Sequence, residues 1–416
     1  MLRLLVQPEL RWAQQHLVQI NHAQVSCWPN LGRGNFGAPI VQALTGLDAA
    51  SFNPRRLYLL DIDGSGASDI IYVHSDRLSI YLNQSGNSFA APFDLPLPVG
   101  VQFDDLCQLN AADLLGNGTS SLILTIPHMQ TRHWRYDFSP QKPYLLNGFN
   151  NNMGADSSLF YRSSAQFWLD EKSVDTSAVA SLPFPIHLLS RVVGVDEITG
   201  NILTQQYRFH KGIYDGVERE FRGFAYVESE DTDQGSSATG ENIAFSPPVL
   251  TKTWYHTGRE QDENELFGVP WAEDNDAYSL GATRLTEWDG GSDIDFTGNT
   301  EDRWWLFRSL KGSVLRQEVY GLDGSDKQGI PYSVSTSRYQ VRLYQAGADK
   351  TAPVALPMML EQLAYGYERI VSDPQCSQQI VLTQDVYGHP LHSIAILYPR
   401  RMPDPTEYPD TLPATT

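Results

Sequence analysis

The sequence has little cysteine and no long apolar run. Its three cysteines, Cys27, Cys107 and Cys376, are odd in number and widely spaced, so they predict neither a disulfide framework nor a metal motif. No stretch approaches the roughly 18 apolar residues that a membrane-spanning helix needs. The first apolar run is broken by Pro8 and is too short for a signal peptide. We therefore expect no membrane insertion by this chain and no export signal within it.

Positive charge is scarce as well. The chain has 30 Lys and Arg residues against 49 Asp and Glu residues, which gives a net charge of −19. A surface that binds nucleic-acid phosphates needs an excess of cations, so we expect no nucleic-acid partner. The acidic balance suits solubility and a basic or cationic partner.

Sequence signatures of catalysis are missing too. The chain has no P-loop, HExxH or GxSxG motif, each of which would place a known reactive group in a known frame. Acidic residues close together in sequence mean little where 49 are present. We therefore expect the chain not to be an enzyme.

Aromatic residues and turn formers are plentiful. The chain contains 20 Tyr, 9 Trp, 32 Gly and 25 Pro, a composition that favours short strands and many turns. A hydrophobic content of 41% with 19% charged residues is typical of a globular protein. The composition therefore predicts an all-β fold.

The stretch 61–69 has the chemistry of a cation-binding loop. It reads Asp-Ile-Asp-Gly-Ser-Gly-Ala-Ser-Asp and places side-chain oxygens at its positions 1, 3, 5 and 9, on Asp61, Asp63, Ser65 and Asp69. Alternating oxygen ligands in a glycine-tightened turn suit a hard cation such as Ca²⁺. It is not an EF-hand, because Tyr72 stands where that motif carries Glu.

Two interpretations of this loop remain open. Apolar segments at 57–60 and 70–73 flank it and predict a β-hairpin, whose turn closes on Ca²⁺ in the first interpretation. In the second, side-chain hydrogen bonds hold a tight Asp/Gly/Ser turn and no ion is bound. Both interpretations use the same residue types, so the sequence does not decide between them.

An internal repeat surrounds this loop. At an offset of 53 residues the matching pairs are Trp28 with Tyr81, Asn30 with Asn83, Phe36 with Phe89 and Pro39 with Pro92. A repeat of about 50 residues with several short strands is typical of a β-propeller blade. Three copies are fewer than the ~4–8 blades of a closed propeller, so we expect a partial propeller, in which either the chain is a fragment or further blades come from elsewhere.

The other copies of the loop lack the ligand set. The third copy begins at Asp113, and there Leu115 and Ser121 stand where the central loop has Asp63 and Asp69. The first copy has no acidic residue at the corresponding positions. Only the central copy therefore predicts a metal site.

Beyond the repeat, near-alternate patterns predict further strands. The predicted strands are 160–169, 221–228, 314–320, 339–344, 379–382 and 393–398, and the predicted loops are 229–247, 260–276 and 289–302. Asp289, Asp293 and Asp295 in the last loop could hold a cation, but a solvated loop is the preferred interpretation. The charged group Arg219, Glu220 and Arg222 is interpreted as a surface salt-bridge ladder.

Longer motifs carry a family resemblance. They are Trp-Pro-Asn-Leu-Gly at 28–32, the loop 61–69, Asn-Gln-Ser-Gly-Asn at 83–87, Tyr-Asp-Gly-Val-Glu-Arg-Glu-Phe-Arg-Gly-Phe at 214–224 and Leu-Lys-Gly-Ser-Val-Leu-Arg at 310–316. The sequence resembles the B component of bacterial insecticidal toxin complexes (TcB), a family related to SpvB-type proteins, with integrin-like FG-GAP/VCBS blades. The resemblance covers nearly the whole chain.

This resemblance implies a fold and a division of the chain. Residues 1–145 would form partial β-propeller blades. Residues 146–305 and 306–416 would form the middle and C-terminal middle regions, as strands of an RHS-like hollow shell.

The resemblance also implies a role. The chain would dock on the pore-forming A component and, with the RHS-repeat C component, form the shell that encloses a toxic enzyme. It would act outside the cell as a secreted virulence factor, after a stay in the bacterial cytoplasm. Two alternatives remain: a Ca²⁺-dependent adhesin-like binding propeller, and the carrier region of an SpvB-type ADP-ribosyltransferase toxin.

Overall fold

The structure is a computed structural model that describes residues 3–8, 15–127, 131–234, 246–266, 271, 273–348 and 351–401. The chain forms two compact units. The first comprises Met1–Leu146 with Phe184–His187, and the second Asn147–Pro183 with Leu188–Thr416. Both consist mostly of antiparallel strands, which confirms the predicted β class in this coarse sense.

The first unit contains thirteen described strands and a short 3₁₀ helix, Pro54–Arg56. The strands are β1 (Arg3–Pro8), β2 (Gln15–Ile20), β3 (Gln24–Trp28), β4 (Asn30–Gly32), β5 (Asn35–Phe36), β6 (Ile40–Ala43), β7 (Leu57–Leu60), β8 (Asp69–Val73), β9 (Arg77–Tyr81), β10 (Phe93–Pro96), β11 (Gln108–Ala112), β12 (Ser121–Ile126) and β13 (Arg132–Tyr136).

These strands form three separate sheets that follow the sequence repeat. The sheets have the orders β1-β2-β3-β6, β7-β8-β9-β10 and β11-β12-β13, and β4 pairs with β5 alone. The first strands of the three sheets end at Pro8, Leu60 and Ala112, which are evenly spaced at 52 residues. Each copy of the repeat is therefore one antiparallel sheet.

The central sheet has both of its faces buried. Because side chains alternate along a strand, Ile70 and Tyr72 of β8 pack into one core while Ile71 and Val73 pack into another. The first core is shared with the β1–β6 sheet, and the second with the β11–β13 sheet. This explains why residues 70–73 form a continuous apolar run. A strand with only one buried face would alternate apolar and polar residues.

The second unit contains thirteen strands and three helices in its described residues. The elements are β14 (Gly148–Asn150), β15 (Ala155–Ser163), α1 (Ser164–Val174), β16 (His187–Asp196), β17 (Ile202–Asp215), β18 (Glu220–Gln234), β19 (Val249–Tyr255), α2 (Gln261–Leu266), β20 (Arg284–Trp288), β21 (Asp293–Asp295), α3 (Thr300–Arg308), β22 (Val314–Gly321), β23 (Ser333–Gln345), β24 (Val354–Gly366), β25 (Gln375–Gln384) and β26 (Pro390–Leu397).

One long antiparallel sheet organises this unit. Its order is β14-β15-β16-β17-β18-β19-β22-β23-β24-β25-β26, with β20 pairing β23 in parallel and β21 pairing β20. Directly opposed residues Arg208, Glu228, Lys252 and Glu318 form a row of alternating charge across β17, β18, β19 and β22. Opposite charges on facing positions favour this strand register over a shifted one. Among the described residues, no helix is both long and apolar enough to cross a membrane.

The predicted strand at 160–169 is wrong in its second half. β15 ends at Ser163 and α1 begins at Ser164. The Ser163 side chain accepts from the Gln166 backbone N–H, and the Gln166 side chain accepts from the Ser163 N–H. This reciprocal capping box starts the helix, and the apolar alternation concealed its Ser-x-x-Gln signature.

The three predicted loops also contain regular structure. β18 continues through Gln234, α2 occupies 261–266, and the stretch 289–302 holds β21 and the start of α3. Residues 235–245 lie outside the described residues. The strands predicted at 314–320, 339–344, 379–382 and 393–398 are confirmed within β22, β23, β25 and β26, which extends to Leu397.

The boundary between the two units lies next to the boundary predicted at 145/146. The boundary predicted at 305/306 falls inside α3, and the strands on both sides of that helix belong to the same sheet. The three-part division therefore stays a prediction from the resemblance.

The interpretation of Arg219, Glu220 and Arg222 as a surface ladder is wrong for Arg222. The side chain of Arg222 has 0% exposure and lies 2.7 Å from the Asp215 carboxylate. It also donates to the carbonyl of Gly258 at 2.9 Å. These bonds join the β17–β18 hairpin to the segment after β19, so Arg222 is an internal cross-link of the second unit.

We expect the substitution Arg222→Met to lower the free energy of unfolding by about 3 kcal/mol or more, because it leaves the Asp215 carboxylate largely buried and unpaired. Urea unfolding followed by tryptophan fluorescence measures this. Arg219→Met is the matched control: Arg219 is exposed, and its loss should change stability by no more than about 0.5 kcal/mol. Equal effects of the two substitutions would contradict the cross-link.

Candidate functional site

The predicted cation loop, residues 61–69, joins β7 to β8. The two strands pair antiparallel with Leu60 opposite Asp69, so the predicted hairpin is confirmed. Gly64 and Gly66 have φ angles of 70° and 89°, in the left-handed region that residues with a Cβ seldom adopt. The glycines therefore permit the bends that fold the acidic side chains toward one another.

The hairpin brings three of the four predicted ligands together. One oxygen from each of Asp61, Asp63 and Asp69 lies within 4.8 Å of the others. Throughout the part of the chain that the structure describes, this is the one group of three or more acidic, His or Cys side chains close enough to share an ion. Ser65 is exposed, and its hydroxyl accepts the Ala67 N–H at 3.4 Å.

The same side chains also hold the turn by hydrogen bonds. Asp61 accepts from the backbone N–H of Gly66 at 2.9 Å, and Asp63 from that of Ser65 at 2.9 Å. Asp69 is fully buried and uses both of its oxygens as acceptors, from Ile62 and from Asn83. Asx-type turn chemistry of this kind stabilises the loop without an ion.

The hydrogen bonding and the pKa values of the loop carboxyls are compatible with a bound cation. Asp61 Oδ1 is buried and has no hydrogen-bond partner among the described atoms. Burial raises the pKa of the Asp61 carboxyl, and it raises that of Asp69 to about 6 in spite of two backbone hydrogen bonds. A cation bound beside these carboxyls would favour their charged form and oppose the rise in pKa that burial causes.

These oxygens fit a hard cation. With Ca²⁺–oxygen distances of about 2.4 Å, two ligand oxygens can be at most about 4.8 Å apart, and the three carboxylates meet this limit. Ca²⁺ takes about 6–8 oxygen ligands, so backbone carbonyls and water would have to complete the shell. The assignment of Asp61, Asp63, Ser65 and Asp69 as metal ligands stays a prediction.

A segment that the sequence did not connect with the loop covers it. The hydroxyl of Tyr144 donates to Asp63 Oδ2 at 3.5 Å. The positive charge of Lys142 partly offsets the rise in the pKa of the Asp61 carboxyl that burial causes. Lys142 also donates to the carbonyl of Gly118 at 3.5 Å. Residues 142–144 therefore contact both the central loop and the loop of the third repeat.

The loop of the third repeat is held in a different way. Asp113 accepts from the backbone N–H groups of Asn117 and Gly118 at 3.1 and 2.7 Å. The ring of His187 packs on Gly118 and hydrogen-bonds to the Asn117 carbonyl. The loop of the third repeat therefore supplies one carboxylate, whereas the central loop supplies three. Residues 9–14 of the first copy lie outside the described residues.

The second acidic stretch is not arranged to bind a cation, because an arginine already lies there. Asp293 receives two hydrogen bonds of 2.6 Å from the fully buried Arg342. Asp295 pairs with Arg284, and Asp289 caps its own turn by accepting from Gly291 and Ser292. The prediction of a solvated loop is also wrong for Asp293, because its carboxylate forms an internal ion pair with Arg342.

Two models of insecticide-toxin regions match the chain. "Insecticide toxin TcdB middle/N-terminal region" matches residues 83–258, and "Insecticide toxin TcdB middle/C-terminal region" matches residues 305–416. Together they cover more than two thirds of the sequence. No curated protein matches it.

Solved structures match nearly the whole chain. The crystal structure of TcdB2–TccC3 is 47% identical with a TM-score of 0.88, and the match covers 99% of this chain and 20% of that chain. The Photorhabdus luminescens Tc holotoxin pore is 46% identical with a TM-score of 0.88, over 99% of this chain and 19% of that chain. The chain thus spans about a fifth of the length of the solved chains it matches.

The two glycines of the central loop offer a matched test of its packing. A Cβ on Gly64 would lie 2.7 Å from the Pro143 ring, whereas one on Gly66 would meet nothing within 4 Å. Both alanine substitutions carry the cost of a left-handed backbone, about 1 kcal/mol. Gly64→Ala should therefore lower the unfolding free energy by about 1–3 kcal/mol more than Gly66→Ala, as measured by denaturant unfolding. Equal losses would show that residues 142–144 do not pack on the loop.

Proposed function

This chain belongs to the TcdB family, the B components of insecticidal toxin complexes, and we propose that it acts as a structural and translocation part without catalysis of its own. In this role it docks on the pore-forming A component. With the C component it forms a shell that encloses the toxic enzyme. The observation that carries the proposal is 46–47% identity over 99% of the chain to TcdB2 in TcdB2–TccC3 and in a Tc holotoxin pore.

The first unit supports the docking half of the proposal. Its three sheets follow one another at a constant spacing and pack face to face through two cores, as propeller blades do. The loops 61–69 and 84–88 are tied to their surroundings: Asp69 accepts from the Asn83 N–H, and the Gln42 side chain of β6 donates to the Gly86 carbonyl. Loops held by a rigid scaffold are common binding surfaces.

The second unit supports the shell half. Its eleven-strand path ends at β26, whose described side chains are nearly all exposed. Leu391 and Leu397 on this strand are 62% and 63% exposed. An unpaired edge strand with apolar side chains is suited to pairing with a further strand, which is what the wall of a larger shell requires.

The adhesin-like propeller and the carrier of an ADP-ribosyltransferase are less well supported. Both alternatives share the blades and the candidate cation loop. Neither accounts for the similarity of the second unit to solved toxin-complex chains, which extends over 99% of the sequence. We therefore retain the toxin-complex role.

The proposal is tested with the full-length protein and its two partners. We expect it to co-elute with the C component in size-exclusion chromatography and to bind the A component. Two substitutions on the exposed loops, Arg33→Glu and Asn87→Arg, should weaken binding to the A component about tenfold or more, because a reversed or newly introduced charge at an interface is strongly unfavourable.

Binding to the C component is the internal control, and it should not change in either variant. Failure of the wild-type protein to bind the C component would overturn the proposed function. Unchanged affinity for the A component after charge reversal across all three loops would leave the shell role intact and would refute docking through these loops.

We further propose that the central loop binds one Ca²⁺. The effect of pH tests this proposal, because raising the pH should strengthen Ca²⁺ binding but lower the stability of the protein without the ion. Because burial raises the pKa of Asp69 to about 6, protons compete with the ion below that pH, and affinity should fall about tenfold between pH 7 and pH 5. Without the ion, the raised pKa favours the protonated form in the folded state. The contribution of Asp69 to stability is then greatest below pH 4 and is lost as the pH rises through 6.

Calorimetric titration at pH 7 should show one site in the wild-type protein and none in Asp63→Ala. The third-repeat variant Asp113→Ala is the control and should bind as the wild type does. Full Ca²⁺ binding by Asp63→Ala would refute the site.

A further inference from the structure

A cleft of about 410 Å³ in the second unit gathers three arginines. Arg162 lies on β15, Arg191 on β16 and Arg208 on β17, and these strands are consecutive neighbours in the sheet. The chain as a whole has a net charge of −19. Three cations around one cleft therefore oppose the general charge of the protein, which makes the cleft a candidate for specific recognition.

Two aromatic rings orient the guanidinium groups. Arg191 lies over the ring of Phe160 at 4.0 Å from its centroid, and Arg162 lies over the ring of Phe167 at 4.8 Å. A guanidinium stacked on a ring keeps its N–H edges available for hydrogen bonds. Because the stacking also restricts the side chain, less entropy is lost when a ligand binds.

The charges in the cleft are not balanced. Arg162 pairs with Asp170 at 2.8 Å, and Arg208 pairs with Glu228 at 3.5 Å. No carboxylate pairs with Arg191 among the residues that the structure describes. The side chains of Asp170 and Arg208 are 63% and 59% exposed, so both existing pairs are weak and can rearrange. One exposed, ring-stacked guanidinium thus remains for an anion.

We propose that this arginine cleft is a docking site for an acidic segment of a partner protein, whose Asp or Glu carboxylate binds Arg191 through two parallel hydrogen bonds. The planar guanidinium matches a carboxylate in this bidentate geometry. The volume of the cleft suits one or two side chains. Nucleic acids and anionic membrane surfaces are disfavoured, because a chain of net charge −19 repels polyanions at long range, whereas one carboxylate senses mainly the local arginines.

The test uses the full-length protein and a fluorescein-labelled peptide that carries one glutamate among glycine and serine residues, followed by fluorescence anisotropy at about 0.15 M salt. We expect saturable binding that Arg191→Gln weakens about tenfold. Arg191→Lys keeps the charge but loses the fork of donors, so it should weaken binding by an intermediate factor. Arg284→Gln is the matched control: it removes an exposed arginine of the same unit that is paired with Asp295, and it should leave the affinity unchanged.

Two competitors define the ligand class. Glutarate should displace the peptide better than inorganic phosphate at equal ionic strength, and the same peptide with glutamine in place of its glutamate should not bind. Equal affinity of the Arg191→Gln variant and the wild type would overturn the proposal. So would better displacement by phosphate, which would make the cleft a phosphate site. Should Arg191→Gln fail to fold, as judged by its melting temperature, Arg191→Lys decides between these outcomes.

Discussion

A single buried carboxylate fixes the part of the first unit on which both its packing and its candidate site depend. Asp69 accepts hydrogen bonds from the backbone N–H of Ile62 at 3.0 Å and from that of Asn83 at 2.8 Å. Each donor would cost about 1–3 kcal/mol if it were buried without a partner. The same carboxylate faces Asp61 and Asp63. An ion bound there, as we propose, would be linked to the order of the hairpin and of the following turn.

The second unit uses buried arginines for a comparable purpose. Arg222 and Arg342 each have fully buried side chains, each meets one aspartate, Asp215 or Asp293, and each donates to a backbone carbonyl in another segment. Each also lies over a tryptophan ring. A buried ion pair adds little net stability over an apolar replacement. Its effect here is positional, because the directional donors hold irregular segments at fixed places against a twisted sheet.

Features that depend on neighbouring residues in the sequence could be predicted. Features that depend on contacts between distant segments could not. The hairpin around the central loop and the paired β25 and β26 follow from alternation and turn residues. α1 was missed although Ser163 and Gln166 form a capping box, because apolar alternation outweighed that signal. The burial of Arg222 depends on Gly258, 36 residues away, and on Trp304 beyond it. The gathering of Arg162 and its two neighbours depends on strand order, which local patterns do not specify.

The buried carboxylate of Asp69 and the buried arginines Arg222 and Arg342 all hold backbone segments at fixed positions. Fixed positions are what a structural component needs. In the described part of the chain, the one gathered acidic group of three or more side chains lies in a turn that it also stabilises. The exposed edge at β26, with Leu391 and Leu397, is costly for an isolated surface and useful for an interface. The first unit presents loops held by its sheets, and the second presents an open sheet edge. Both features rely on shape and charge already in place, which suits the docking and containment that we propose for this chain.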